Sequence, residues 1–107
     1  MTEGGSGRTD VASMQVGRVE VELRGDHVVV DGVSIGLAPR ERHVLEVLGH
    51  RPGCVVNKQE LLVTVWNNAV DSHAVEVTVG RLRRRLEGRL DIQTVPRRGY
   101  RLIEPAR

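Results

Sequence analysis

Phenylalanine is absent from this chain of 107 residues, and tryptophan, tyrosine, cysteine and lysine occur once each, as Trp66, Tyr100, Cys54 and Lys58. A single cysteine permits neither an internal disulfide nor a multi-cysteine zinc site. Beside Val55 and Val56 it reads as a small buried hydrophobe. Two aromatic rings are too few for the stacking platforms on which single-stranded RNA binders depend, so Trp66 and Tyr100 are expected in the core or at a hinge. No run is long and apolar enough to cross a bilayer, and MTEGGSGRTD lacks the apolar stretch of a secretion signal. The expectation is a cytoplasmic chain with no membrane partner. His43, Glu46 and His50 share one side of a predicted helix, but their spacing does not suit two histidines one turn apart with a third ligand. No set of nucleophile, base and orienting group can be assembled either, and no glycine loop precedes a helix to cradle phosphates. Neither metal, cofactor nor catalysis is expected.

What is present is arginine, unevenly spread. Residues 1–70 hold seven Arg or Lys against nine Asp or Glu, whereas residues 71–107 hold nine Arg against five acids. The net charge of +2 therefore conceals a basic C-terminal third, which suggests a polyanionic partner at that end. Apolar residues make up 39% of the chain, enough for one modest core and too little for two domains.

Residues 1–15, with Gly4, Gly5, Ser6 and Gly7, have almost nothing to bury and read as a flexible arm or linker; the folded domain is expected over 16–107. VEVEL (19–23) alternates apolar and polar residues, Gly25 and Asp26 mark a turn, and HVVVDGVSIG (27–36) forms two short strands around the hairpin signal Asp31-Gly32. The period then changes. Pro39 suits the first turn of a helix, Glu41 its positive end, and Val44, Leu45, Val47 and Leu48 its apolar stripe, until Arg51, Pro52 and Gly53 stop it. Asn57 and Glu60 resemble a capping box for a second helix carrying Leu61, Leu62, Val65 and Trp66.

After the polar linker 66–72, Asp71 or Ser72 caps a third helix predicted over 72–87 and ended by Gly88. Its residues include VEVTVGRLRRRL (75–86). Val75, Val79, Leu82 and Leu86 fall within a stripe about 60° wide at about 100° per residue. Val77, Arg81 and Arg84 project from the opposite side, with Thr78 and Arg85 on one flank and Gly80 and Arg83 on the other. Residues 91–103 read as a closing hairpin with a basic tip at Arg97 and Arg98. An antiparallel sheet, three helices with a helix-turn-helix in the last two, and a hairpin give an α+β chain in the order of a winged helix.

These residues resemble the DNA-binding effector domain of OmpR/PhoB-type response regulators, the C-terminal output domain of two-component systems. The resemblance covers roughly residues 16–104. It rests on LAPRERHVLEVL, on PGCVVNKQELLVTVW, and above all on VEVTVGRLRRRL followed by IQTVPRRGYRL. It implies a four-stranded N-terminal sheet, a third helix lying in the major groove of double-stranded DNA, and a wing (92–103) whose tip enters the minor groove. It further implies that Arg81 reaches bases or phosphates, that Thr78, Gly80 and Arg83 touch bases or backbone, and that Thr94 binds a phosphate. Two copies would sit head to tail on direct repeats, and the loop 67–72 would be the place for RNA polymerase, though it is short here.

Three departures stand out. Gly80 occupies a position where relatives often carry a side chain. Pro96 stands where some place a minor-groove arginine, which shifts that role to Arg97 or Arg98. Ala38 replaces a threonine helix cap, a matter of roughly 1 kcal/mol. Residues 1–15 are also too few for a phosphoacceptor receiver, so the chain reads as a separate output domain or one with a different input module.

On this reading Arg81, Thr78 and Val77 meet base edges, while Arg83, Arg84, Thr94 and Arg101 meet phosphates. For the helix arginines the plain alternative is a solvated face paired with Glu76 or Glu87. A rival of another class is a winged helix used for protein–protein interaction, its basic face docked on an acidic partner.

Overall fold

The computed structural model describes residues 11–105. Strands β1 (Val11–Val16), β2 (Val19–Arg24), β3 (His27–Val30) and β4 (Val33–Gly36) form one antiparallel sheet in sequence order. Helices α1 (Pro39–His50), α2 (Lys58–Trp66) and α3 (Ser72–Arg85) follow, and strands β5 (Asp91–Val95) and β6 (Gly99–Ile103) close the chain as a hairpin. Asp31 and Gly32 both have positive φ (47° and 84°), the geometry that lets a two-residue turn follow the strand twist.

Alternation decides the sheet's inner face: Val19, Val21, Leu23, Val28 and Val30 are buried while Glu20, Arg24 and Asp31 face solvent. Val44, Leu45 and Leu48 of α1 cover that face, and Leu61, Leu62, Val65 and Trp66 of α2 extend the core toward α3. Trp66 and Tyr100 are both buried in it.

The sheet begins ahead of the expected boundary at residue 16. Residues 11–15, read as part of a flexible arm, pair with β2 from Val11↔Arg24 onward. Backbone pairing, joined by half-buried Met14, orders a stretch whose short apolar alternation follows directly on the glycine-rich start, and Met14 occupies the space that a side chain on Gly49 would need. Residues 1–10 of the expected arm lie outside the described residues. Cys54 also departs from expectation, since it is exposed. Its N–H still closes the turn onto the Arg51 carbonyl (3.0 Å), and the chain enters the core only at Val56. Finally, α3 ends at Arg85 rather than at 87, because Glu87 N–H bonds to the Arg84 carbonyl and tightens the last turn before Gly88 (φ 83°).

Ala38 offers α1 no side-chain cap, but Glu41 accepts the Ala38 N–H at 3.0 Å, half of a capping box. Glu41 is 3% exposed, and its carboxylate pairs with Arg85 Nε of α3 at 2.7 Å. One buried carboxylate thus starts α1 and holds α3 against it. Arg40 adds a bond from Nη1 to the Val65 carbonyl (3.0 Å), tying α1 to the end of α2.

The hairpin is fixed along β6. Val56 and Tyr100 exchange backbone bonds in both directions (2.8 and 3.0 Å), and Gly53 N–H bonds to the Leu102 carbonyl (2.8 Å). Gly99, at φ 138°, sits so close to this bridge that a Cβ would strike the Val56 carbonyl and lie 2.6 Å from Asn57 Cα.

Gly99→Ala is therefore expected to destabilise the domain by at least about 2 kcal/mol, combining backbone strain with a clash against main chain. Arg85→Ala strands the Glu41 carboxylate and is expected to cost about 1–2 kcal/mol, whereas Arg84→Ala stays within about 0.5 kcal/mol. Denaturant unfolding of the three variants measures both comparisons.

Candidate nucleic-acid interface

Asp71 caps α3, its side chain accepting the His73 N–H at 3.0 Å. From there the apolar spacing determines the helix's rotation. Val75, Val79, Leu82 and Leu86 are all at most 1% exposed. Gly80, Arg81 and Arg84 are consequently exposed on the far side, with Val77 and Thr78 half-buried at its margin.

The four arginines of RLRRR divide into two pairs. Arg85 turns to one flank and meets Glu41, as described above. Arg83 turns to the other flank, where Nε donates to the Ile92 carbonyl and Nη2 donates to Thr94 Oγ1, each at 2.9 Å. Arg81 and Arg84 have no hydrogen-bond or ion-pair partner among the described residues. The pairing with Glu76 or Glu87 considered from the sequence does not occur there. Glu76 is taken by Lys58 of α2 (2.7 Å), with His73 Nδ1 at 3.7 Å. The hydrogen bond from Lys58 holds the Glu76 carboxyl below its usual range and, reciprocally, raises the Lys58 ammonium. The depressed Glu76 keeps its attraction above the ordinary carboxylate range and loses it as pH falls through its folded value; the raised Lys58 loses its part only as pH rises beyond the ordinary lysine range. Across neutral pH this carboxylate on α3 is thus neutralised by an ammonium.

In the hairpin, Ile92 pairs with Leu102 and Thr94 with Tyr100, and this face turns toward the core and α3. Gln93 and Arg101 pair on the opposite face, where Arg101 Nε donates to Gln93 Oε1. Thr94 and Arg101, read together as phosphate contacts, therefore lie on opposite sides of the wing. Pro96, Arg97 and Arg98 form the tip, exposed, with Arg97 at φ 65° and Arg98 N–H bonded to the Val95 carbonyl (2.9 Å).

A cleft between the tip and the start of α2 is lined by Asn57, Lys58, Thr94, Arg97, Arg98 and Tyr100. Sequence reading missed Lys58 and Asn57 as members of this region. Their only local signal was the helix cap at Asn57, and nothing in their spacing connects them to a hairpin more than thirty positions on. Chemically, the assembly offers guanidinium groups on α3 and on the wing tip with a hydroxyl between them, a set suited to phosphate oxygens and to the acceptor edges of bases, while the Lys58 ammonium is already paired with Glu76. No group of three or more His, Cys, Asp or Glu side chains converges as a metal site among the described residues, and no helix there is long and apolar enough to cross a membrane.

A family model described as transcriptional regulatory protein, C terminal, matches residues 32–102. The transcriptional regulatory protein CutR of Streptomyces coelicolor is 45% identical over 86 residues, a match covering 78% of this chain and 40% of CutR. Response regulator protein PmrA of Pseudomonas aeruginosa is 38% identical over 94 residues, covering 82% of this chain and 42% of PmrA. The chain spans about two fifths of the length of these relatives. Among solved structures, the DNA-binding domain of E. coli CadC superposes with a TM-score of 0.72 at 28% identity, covering 89% of this chain and 95% of that one. Response regulator DrrB of Thermotoga maritima, an OmpR/PhoB homologue, gives a TM-score of 0.70 at 26% identity over 88% of this chain and 44% of its own. Built of a four-stranded sheet, three helices and a closing hairpin, this chain belongs to the OmpR/PhoB-type family of transcriptional regulatory C-terminal domains.

Proposed function

We propose that the chain binds double-stranded DNA sequence-specifically as the output domain of a bacterial transcription regulator, with α3 in the major groove and the β5–β6 wing at the minor groove. One observation carries this reading: Arg81 and Arg84 lie unpartnered, among the described residues, on the exposed side of a helix whose other side is locked into the core. The wing tip adds Arg97 and Arg98. The CadC domain, at 28% identity, is itself a DNA-binding domain.

A major groove about 12 Å wide admits one helix and displays the O6 and N7 acceptors of guanine, which a guanidinium engages with two parallel bonds. Arg81 is the residue for that contact, with Val77 toward a thymine methyl and Thr78 toward an adjacent base or phosphate. Arg84 serves the backbone. The bare Gly80 lets the main chain of α3 approach a phosphate, since a Cβ there would meet open space in the free protein. Arg97 and Arg98 enter the minor groove, where a narrow A·T tract concentrates negative potential. Arg101, on the outer face of the wing, meets a phosphate flanking the tip. Two copies read direct repeats about 10 base pairs apart, the length of one helical turn. The loop 67–72, which exposes Val70, is the surface left for RNA polymerase.

The test is titration against duplex DNA at two salt concentrations, first with random sequence and then with the best fragment from a selection. Affinity should fall steeply with salt, as release of counterions from phosphate requires. Arg81→Ala is expected to lose roughly 1–3 kcal/mol on the selected fragment and much less on random duplex, while Arg84→Ala weakens both alike and lowers the salt slope by about one. Gly80→Ala should raise helix stability by about 0.5–1 kcal/mol and yet weaken duplex binding, read as thermal midpoint and affinity on the same sample.

A further inference from the structure

We infer that Arg83 serves DNA binding as a positioning residue rather than as a phosphate contact: its guanidinium fixes the wing to α3 and aims the Thr94 hydroxyl outward. This rests on the DNA-binding reading above and assigns Arg83 a different task within it.

The geometry is specific. Arg83 Nε and Nη2 lie along one edge of a planar group, and they donate to Ile92 O and Thr94 Oγ1, each at 2.9 Å. One acceptor is the main-chain carbonyl of Ile92 and the other the side-chain hydroxyl of Thr94 two residues on, so a single rigid fork grips β5 at two points. A lysine carries the same charge but only one compact donor centre, and cannot hold both acceptors in this way. Among the described residues these are the only hydrogen bonds or ion pairs between α3 and the hairpin; apolar packing sets distance but not register, and the two bonds set register.

The second consequence concerns Thr94. A hydroxyl has one proton and two lone pairs. With Arg83 donating to its oxygen, the Thr94 proton is left to point elsewhere. Thr94 is exposed and lines a cleft edged by the guanidinium groups of Arg97 and Arg98, with Lys58 beside them held by Glu76, so the hydroxyl proton is available to an acceptor entering that cleft. An anionic oxygen is the acceptor that such a cleft selects. Arg83 meanwhile has neutral partners on both bonds and keeps its full charge, which adds to the field of the surface without touching the duplex.

The experiment is a double-mutant cycle of Arg83→Lys and Thr94→Val, read as affinity for a random-sequence duplex at fixed low salt, with thermal unfolding of every variant. Each single change should weaken binding roughly five-fold or more, and the double variant should bind no worse than the weaker single one, because both changes remove the same oriented hydroxyl. The salt slope of Arg83→Lys should match that of the unsubstituted protein. Additive losses, or full affinity in Arg83→Lys together with a salt slope lowered by about one in Arg83→Gln, would show a direct phosphate contact and overturn the inference. Should Arg83→Lys not fold, Thr94 carries the test alone: Thr94→Ser keeps affinity and Thr94→Val loses it, while equal binding by both contradicts the oriented hydroxyl. Absence of duplex binding by the unsubstituted protein would defeat the DNA-binding reading itself, an outcome distinct from additivity in a protein that binds.

Discussion

The burial of one narrow stripe on α3 governs the remainder of the molecule. Val75, Val79, Leu82 and Leu86 are removed from solvent almost completely, and side chains of this kind contribute about 1.5–3 kcal/mol each when buried. No exposed ion pair competes with that sum, since surface pairs contribute about 1 kcal/mol or less. Helix rotation is therefore settled by aliphatic packing, and the directions of the arginines follow from it. Positions beside the stripe reach neighbouring elements; positions opposite it reach solvent.

That rotation gives chemically identical side chains different work. Arg85 reaches α1 and satisfies a carboxylate that also caps that helix, while Arg83 reaches the wing. Arg81 and Arg84 remain free of partners among the described residues and retain their rotamer freedom. The wing shows a similar division along its length. Its strands are held by the Val56–Tyr100 bridge and by the Arg83 fork, whereas its tip at residues 96–98 is exposed. Segments with few buried contacts open and move at small cost, so the tip can adjust while the strands keep their angle to α3.

Much of this architecture is legible in the sequence, because the features that specify it are periodic and local. The change from alternation to helical spacing near Pro39, the Asp31-Gly32 turn, the caps at Asn57 and Asp71 and the i, i+4, i+7, i+11 stripe of α3 all depend on neighbouring residues. The illegible parts are those decided by distant partners. VASMQV is a short run of small and mixed side chains directly after a glycine-rich start, too brief to announce a strand, yet β2 supplies a ladder for it. Cys54 has apolar neighbours, yet the turn after α1 leaves it outside. The separate fates of Arg81, Arg83, Arg84 and Arg85 are half visible: helical rotation tells flank from face, but not that one flank meets Glu41 and the other Thr94. Likewise, Lys58 joins the candidate site only through folding, which brings the start of α2 beside the wing.

The most direct measurement is hydrogen exchange at the Nε–H groups of the four arginines, followed by NMR in the free domain and after addition of duplex DNA. Slow exchange at Arg83 and Arg85 in both states, with fast exchange at Arg81 and Arg84 that slows on the duplex, is the predicted pattern. Uniform fast exchange in the free domain, or a duplex that alters Arg83 and Arg85 while leaving Arg81 and Arg84 untouched, would contradict the division of labour on which the account stands.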